Sequence, residues 1–190
     1  MSRDPTDLPL FAWARKLRED QAKRRCVVRR ALWLVPLALG LTATIAFPPR
    51  PFLVWNTSES APIGLYSVGA KDDLKRSDMV IAWVPESHRD FAAKRHYLPR
   101  NVPIVKRIAA VPGDHICAED RAFIINETRI ISRRGADRQG RELPWWQGCR
   151  NLRKDEMLLL MAHPSSFDGR YFGPTQRNEI VGKARLLWEK

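Results

Sequence analysis

Apolar positions along the chain fall into two regimes. Between Ala31 and Phe47 they are nearly continuous: ALWLVPLALGLTATIAF runs 17 residues without a charge. That is the lower edge of what crosses a hydrocarbon core of about 30 Å as a helix, and Pro36 and Gly40 are tolerated in such a helix. Beyond residue 48 the apolar residues come in short runs bounded by turn residues. GLYSV (64–68), DMVIAWV (78–84), PIVKRIAAV (103–111) and MLLLM (157–161) have the length and β-branched or aliphatic character of strands. AFIINETRIIS (122–132) reads as a hairpin hinged near Asn126-Glu127, and VGKARLLW closes the chain as another strand-like run. Polar, basic Glu86–Arg100 predicts a weakly helical surface insertion. Residues 133–154, rich in Arg and Gly around Leu-Pro-Trp-Trp, predict a long loop pinned by Cys149. Strands without alternating helices predict a mainly β domain over 48–190, anchored by one N-terminal transmembrane helix at 31–47.

Charge orients this arrangement. The 190-residue chain has a formal charge of +12, and residues 1–30 hold nine Lys/Arg against four acids, with Arg24, Arg25, Arg29 and Arg30 crowding the end. Basic residues before the span, and Pro-Pro-Arg-Pro after it, predict a cytoplasmic amino terminus and an external carboxyl part. Within the basic segment LPLFAWARKLR predicts a short surface helix. Two other readings exist: a signal peptide cut after Thr44-Ile45-Ala46, for which thirty preceding residues is long, and a buried core helix. The basic residues sit where topology already explains them, without interleaved aromatics, so the expected partner is a lipid bilayer and no nucleic acid.

Cysteine usage fits the same division. Cys26 lies on the cytoplasmic side, whereas Cys117 and Cys149 both lie outside, where they can oxidise to a disulfide or stay as two buried thiols. Closing a loop of about 32 residues is worth roughly 3–4 kcal/mol on the chain-entropy account. There is no CxxC pair and no HExxH motif, and the four histidines are scattered, so no metal or cofactor is expected.

Three hydroxyls, Thr57, Ser58 and Ser60, precede a Pro-Ile-Gly turn soon after the apolar span. A hydroxyl becomes a nucleophile only beside a base. His88, His96, His115 and His163 have no favourable context, and no GxSxG elbow exists. Lysine, with a free pKa of about 10.4, serves as a base only where burial depresses that value. Most lysines sit in polar stretches. Lys106 instead lies in PIVKRIAAV, where alternation places Ile104, Lys106 and Ile108 on one face of a strand; the alternative is an edge-strand lysine snorkelling to water.

SESAP, followed by VKRIAAVPGD and then SFDGRYFGP, resembles the three catalytic boxes of type I signal peptidases, membrane-anchored bacterial serine proteases with a Ser-Lys dyad. The resemblance runs from about Asn56 to Lys183. NTSESAPIGLY and LPWWQGCRNL are similar to the conjugative-transfer (TraF-type) branch, and Ala61 stands where general signal peptidases usually carry Met. The resemblance implies that Ser60 is the nucleophile and Lys106 the general base. It implies an oxyanion hole built from the Ser58 hydroxyl and the Ser60 N–H, with Ser166 orienting the lysine and Asp168 and Arg170 pairing to brace the third box. Gly169 departs from that box, which usually reads Asp-Ser-Arg. The implied substrate is a membrane-inserted, pilin-like precursor, matured or cyclised on the periplasmic face of the inner membrane. It is expected to lie as an added strand beside Ser60, with Phe52, Trp55, Trp83, Trp145 and Trp146 either at lipid headgroups or in the core. Other readings are a general signal peptidase cutting exported preproteins and a non-catalytic membrane-anchored component of a transfer or secretion apparatus. A secreted glycoprotein is a further one, prompted by the triplets Asn56-Thr57-Ser58 and Asn126-Glu127-Thr128.

Overall fold

In the computed structural model, residues 9–47 and 51–190 are described, as two compact units dividing at Pro49 and Arg50. The first unit is a single helix, α1, Pro9–Ala46. At 38 residues it is about 57 Å long, and Lys16–Ala46 is long and apolar enough to cross a membrane. The basic segment is therefore not a separate short helix. Leu, Arg, Lys, Gln and Ala favour helix, and no Gly or Pro intervenes between Pro9 and Pro36 to stop it. In the apolar part, the Thr42 and Thr44 hydroxyls donate to carbonyls three or four residues back. Neither hydroxyl is left without a partner, as a lipid environment would require. Phe47 already lies in a bend; residues 1–8 and the Pro48-Pro49-Arg50 stretch, on which part of the orientation rests, fall outside the described residues.

The second unit is mainly β. In chain order it comprises β1 (Leu53–Asn56), β2 (Gly64–Val68), β3 (Met79–Ala82), helix α2 (Glu86–Lys94), β4 (Ile104–Ala110), β5 (His115–Glu119), β6 (Ala122–Ile125) and β7 (Thr128–Ser132). After these come β8 (Gly148–Asn151), β9 (Glu156–Leu160), the short helix α3 (Gly169–Phe172), β10 (Thr175–Gln176) and β11 (Ile180–Glu189). A seven-stranded sheet runs β1-β2-β11-β3-β4-β9-β10 and a four-stranded sheet β7-β6-β5-β8, with antiparallel pairing throughout. The four apolar runs form β2, β3, β4 and β9, and the hairpin turns where expected. Ile125 pairs with Thr128, and Asn126 and Glu127 both take positive φ, the conformation a two-residue turn requires.

Three apolar clusters fill this unit. Ile116, Phe123, Ile125 and Leu158 pack between the two sheets, Val80, Ile108, Leu159 and Ile180 in the large one. A third cluster, Val54, Ala61, Tyr66, Ile81 and Val105, reaches the loop that follows β1. The small side chain of Ala61 is thus a core residue that ties the Ser60 loop to the sheet. Gly64, which opens β2, is required by a close approach: a Cβ there would lie 2.0 Å from the Trp188 carbonyl oxygen.

The span 133–154 is less loop-like than its composition suggests. It contains an Ala136–Glu142 bridge and ends in β8. Cys149 lies directly opposite Cys117 on β5, and the two sulfurs form a disulfide, 2.08 Å apart. Trp146 packs edge-on against Phe123 and donates from its indole to the Gly169 carbonyl at 3.2 Å, which gives it a structural place rather than a lipid-facing one. Trp55 stays substantially exposed and packs against Trp188.

Candidate active site

Ser60 lies in the loop joining β1 to β2, and that loop is folded around one side chain. Asn56, the last residue of β1, is 7 % exposed. Its carboxamide nitrogen donates to the carbonyls of Ser58, Ala61 and Pro62 at 3.0, 3.1 and 3.0 Å, and its oxygen accepts from the Ser58 N–H at 3.1 Å. Tyr66 adds a bond from its hydroxyl to the Pro62 carbonyl at 2.8 Å. Asn closing a strand into a turn is a local signal for such side-chain-to-backbone bonding, yet sequence reasoning read Asn56 only as part of a motif or a glycan acceptor. With both amide atoms engaged and buried, it has no room for a glycan. Asn56→Asp sets a carboxylate against three carbonyls. Thermal or urea unfolding of the purified chain is expected to show a loss of about 2 kcal/mol or more, the scale of buried polar groups left without partners.

Lys106 comes from β4, paired across to Val80 of β3. It is 4 % exposed. Its Nζ lies 2.9 Å from Ser60 Oγ and 2.8 Å from Ser166 Oγ. Burial pushes its pKa down to about 8; the nearby Asp168 carboxylate opposes that shift and the Arg170 guanidinium adds to it. A neutral amine has one lone pair and two N–H bonds. It can accept the Ser60 proton while donating to Ser166, whereas the protonated ammonium donates to both hydroxyls; the geometry serves either form. The Ser58 hydroxyl completes the row, 2.8 Å from Ser60 Oγ, and accepts from the Ser60 N–H at 3.3 Å. Among the described residues no histidine hydrogen-bonds Ser60. His163 instead accepts from the Ser165 N–H at 3.2 Å, and His88 pairs with the Ser87 hydroxyl.

Ser166 is held through a buried ion pair just downstream of it. Asp168 caps α3, and its carboxylate accepts from Arg170 Nε at 2.8 Å, Arg170 Nη2 at 3.0 Å and the Met161 N–H at 3.0 Å; Arg170 Nη2 also donates to the Met161 carbonyl. Both side chains are fully buried. The ion pair therefore fastens the Ser166–Arg170 segment to the chain just past β9. Between the two charged residues, Gly169 is a packing requirement. A Cβ there would stand 2.9 Å from the Leu159 carbonyl oxygen and 2.9 Å from Leu158 Cδ1, so a serine could not be accommodated without moving β9.

Ser58, Ser60, Lys106 and Ser166 thus share one hydrogen-bonded row, with the Asp168–Arg170 pair behind it. The disulfide between Cys117 and Cys149 belongs to the small sheet, outside the lining of the groove in which the row lies. That groove, about 470 Å³, runs between the segment after α2 (Arg95–Leu98) and the turn at residues 134–143. The walls are joined: the Tyr97 hydroxyl donates to Asp137 Oδ2 at 2.5 Å and Arg141 to the Arg95 carbonyl at 3.3 Å. Phe167 stacks on Phe91 and on Tyr171, and Tyr97 meets Phe91 and Phe167 at an angle. Sequence reasoning found the row but not these walls.

Comparison with known proteins bears on what such a row does. The profile described as signal peptidase, peptidase S26, matches residues 25–189. A plasmid transfer protein TraF of Escherichia coli is 30 % identical over 148 residues, covering 70 % of this chain and 82 % of that protein. A conjugal transfer protein TraF of Agrobacterium fabrum is 29 % identical over 145 residues, covering 70 % and 80 %. Among solved structures, a signal peptidase I of Enterococcus faecalis aligns over 59 % of this chain and 97 % of its own, at 17 % identity and a TM-score of 0.36, too distant to carry an argument. The profile match over most of the chain and the TraF relative at 30 % identity show that the chain belongs to the signal peptidase S26 family, in its TraF-type branch.

Proposed function

We propose that this chain is a membrane-anchored serine endopeptidase with a Ser60–Lys106 dyad, acting on membrane-inserted precursors in conjugation. The observation that carries the reading is the buried Lys106 amine between two hydroxyls, 2.9 Å from Ser60 and 2.8 Å from Ser166. Family membership supports peptidase chemistry, and relatives named for plasmid and conjugal transfer support the setting.

The steps follow from the groups present. Neutral Lys106 takes the Ser60 proton as Oγ bonds to the scissile carbonyl carbon. The Ser60 N–H and the Ser58 hydroxyl turn from each other to the oxyanion, where each oriented donor is worth roughly 3 kcal/mol. The C–N bond breaks as the ammonium returns its proton to the leaving amine, and the acyl group stays on Ser60 as an ester. Water, deprotonated by Lys106, hydrolyses that ester. An amine of the same precursor attacking instead forms a new peptide bond and a cyclic product.

Mass spectrometry of a membrane-spanning, pilin-like precursor incubated with the full chain in detergent tests this reading. Cleavage is expected, and a cyclic product is one water lighter than the hydrolysed fragment. An unchanged precursor would count against it. The pH profile is a second check. Because the active form is the neutral amine, kcat/KM is expected to rise with pH, reach half its plateau near pH 8 and stand at roughly one tenth of that plateau at pH 7.

A further inference from the structure

The groove around the dyad carries more positive charge than its own acids use. Arg95, Arg134, Arg138 and Arg141 line it against two carboxylates, Glu59 and Asp137. Asp137 is committed, accepting from Arg141 Nε at 2.7 Å, from the Tyr97 hydroxyl and from two backbone N–H groups. Among the described residues Glu59 reaches only Arg138, at 3.7 Å with both side chains largely in solvent, a weak link. Arg95 lies over the Phe91 ring and donates to the Glu142 carbonyl.

Arg134 stands apart. Its backbone N–H is fixed by the Tyr171 hydroxyl at 3.1 Å. Its guanidinium donates to Ser165 Oγ at 3.4 Å and meets no carboxylate among the described residues. Ser165 immediately precedes Ser166, the partner of Lys106. An exposed guanidinium with most of its donors unspent therefore lines the groove that holds the reacting hydroxyl, in contact with the residue next to Ser166. Guanidinium forks match carboxylates bidentately, and a concave wall of one sign concentrates ligands of the other.

We infer that the groove selects peptides through a carboxylate docked on Arg134, with Arg138 as the second available donor. This rests on the peptidase reading above and adds a substrate class to it. The carboxylate is either an Asp or Glu side chain near the scissile bond or the free C-terminus of a short segment beyond it.

The test uses the full chain in detergent with a mixture of short synthetic peptides randomised over Ala, Leu, Ser, Glu, Gln and Lys. The peptides are made both as C-terminal carboxylates and as carboxamides, and the products are sequenced by mass spectrometry. If a side chain is read, Glu is favoured over Gln at a fixed distance from the cut by about tenfold, the scale of one charge-assisted contact; if the terminus is read, carboxylate is favoured over carboxamide by a similar factor. Arg134→Glu is expected to reverse the preference, towards Lys or towards the amide. That reversal also shows the variant to be folded. Equal cutting of all forms by the wild type, or an unaltered preference in Arg134→Glu, overturns the inference. Where the wild type cuts none of the mixture, the peptidase reading is judged by the precursor cleavage above and the inference by binding. Fluorescence polarisation of labelled Glu and Gln peptides on Ser60→Ala then decides the groove: tighter binding of Glu supports the inference, and equal binding overturns it.

Discussion

Ser60→Ala and Lys106→Met are each expected to lower precursor cleavage by about a thousandfold or more, and the double variant by little beyond either, because groups that act as a unit fail as a unit. The two variants differ in stability, and that difference separates catalysis from folding. The Lys106 pKa falls from 10.5 in the unfolded chain to about 8 in the fold. The folded state therefore binds fewer protons between those values, and stability rises with pH across that window. Below about pH 8 the full penalty applies, roughly 3 kcal/mol for a shift of this size. Lys106→Met removes the penalty, so at about pH 7 it should melt above the wild type while cutting nothing, and the gap should close towards pH 10.5. A variant that unfolds early and is inactive would say nothing of the dyad. One that is stable and inactive supports it. Full cleavage by both variants would remove the Ser60–Lys106 assignment, whereas a wild type that leaves the precursor uncut would return the chain to the reading of a non-catalytic membrane-anchored component.

Asp168→Ala carries the largest expected effect on stability. It leaves the Arg170 guanidinium buried without a counter-charge, and it removes the acceptor of the Met161 N–H. Breaking a buried pair from one side typically costs about 3–5 kcal/mol. Urea denaturation should show a loss of that order, and Ser166, two residues away, should lose its register with Lys106. Asp168→Asn combined with Arg170→Met is the control. With no lone charge left inside and an amide oxygen still able to accept, it should recover part of the loss.

Local pattern carried much of this fold. The strands at Gly64–Val68 and Met79–Ala82 and the Asn126-Glu127 turn follow from side-chain period and turn chemistry, which are properties of neighbouring residues. Lys106 was legible as a lysine among apolar strand positions. Ser60 stood out only as one of three hydroxyls before a turn; its pairing with Lys106, and the part of Ser166, were legible only through the family's boxes, since both serines are brought to the lysine by pairings distant in sequence. Other parts escaped, β1, α3 and β10 among them, and three cases have a physical reason. β5 begins at a histidine and runs through Ile116-Cys117-Ala118, too short a pattern to separate from loop. β8, Gly-Cys-Arg-Asn, has almost no strand propensity and is held by its neighbour and the disulfide. The basic helical segment was set apart from the apolar span because hydropathy changes there, while helix propensity does not.

The turn that forms one wall of the groove is attached at both ends to the small sheet. Arg133, before it, places its guanidinium against the Trp145 ring and donates to the carbonyls of Asp120 and Trp146; Cys149, after it, is bonded to Cys117. Its internal closure, Leu143 N–H to the Gly135 carbonyl at 2.9 Å, is local. The wall thus has its own attachments to the small sheet, and those of its residues that make no contact with Tyr97, Arg95 or Glu59 can be exchanged while β4 keeps its geometry. In such an architecture substrate preference can diverge between relatives by drift in one short segment, and a wall transplanted from another TraF-type chain should carry its donor's selectivity with it.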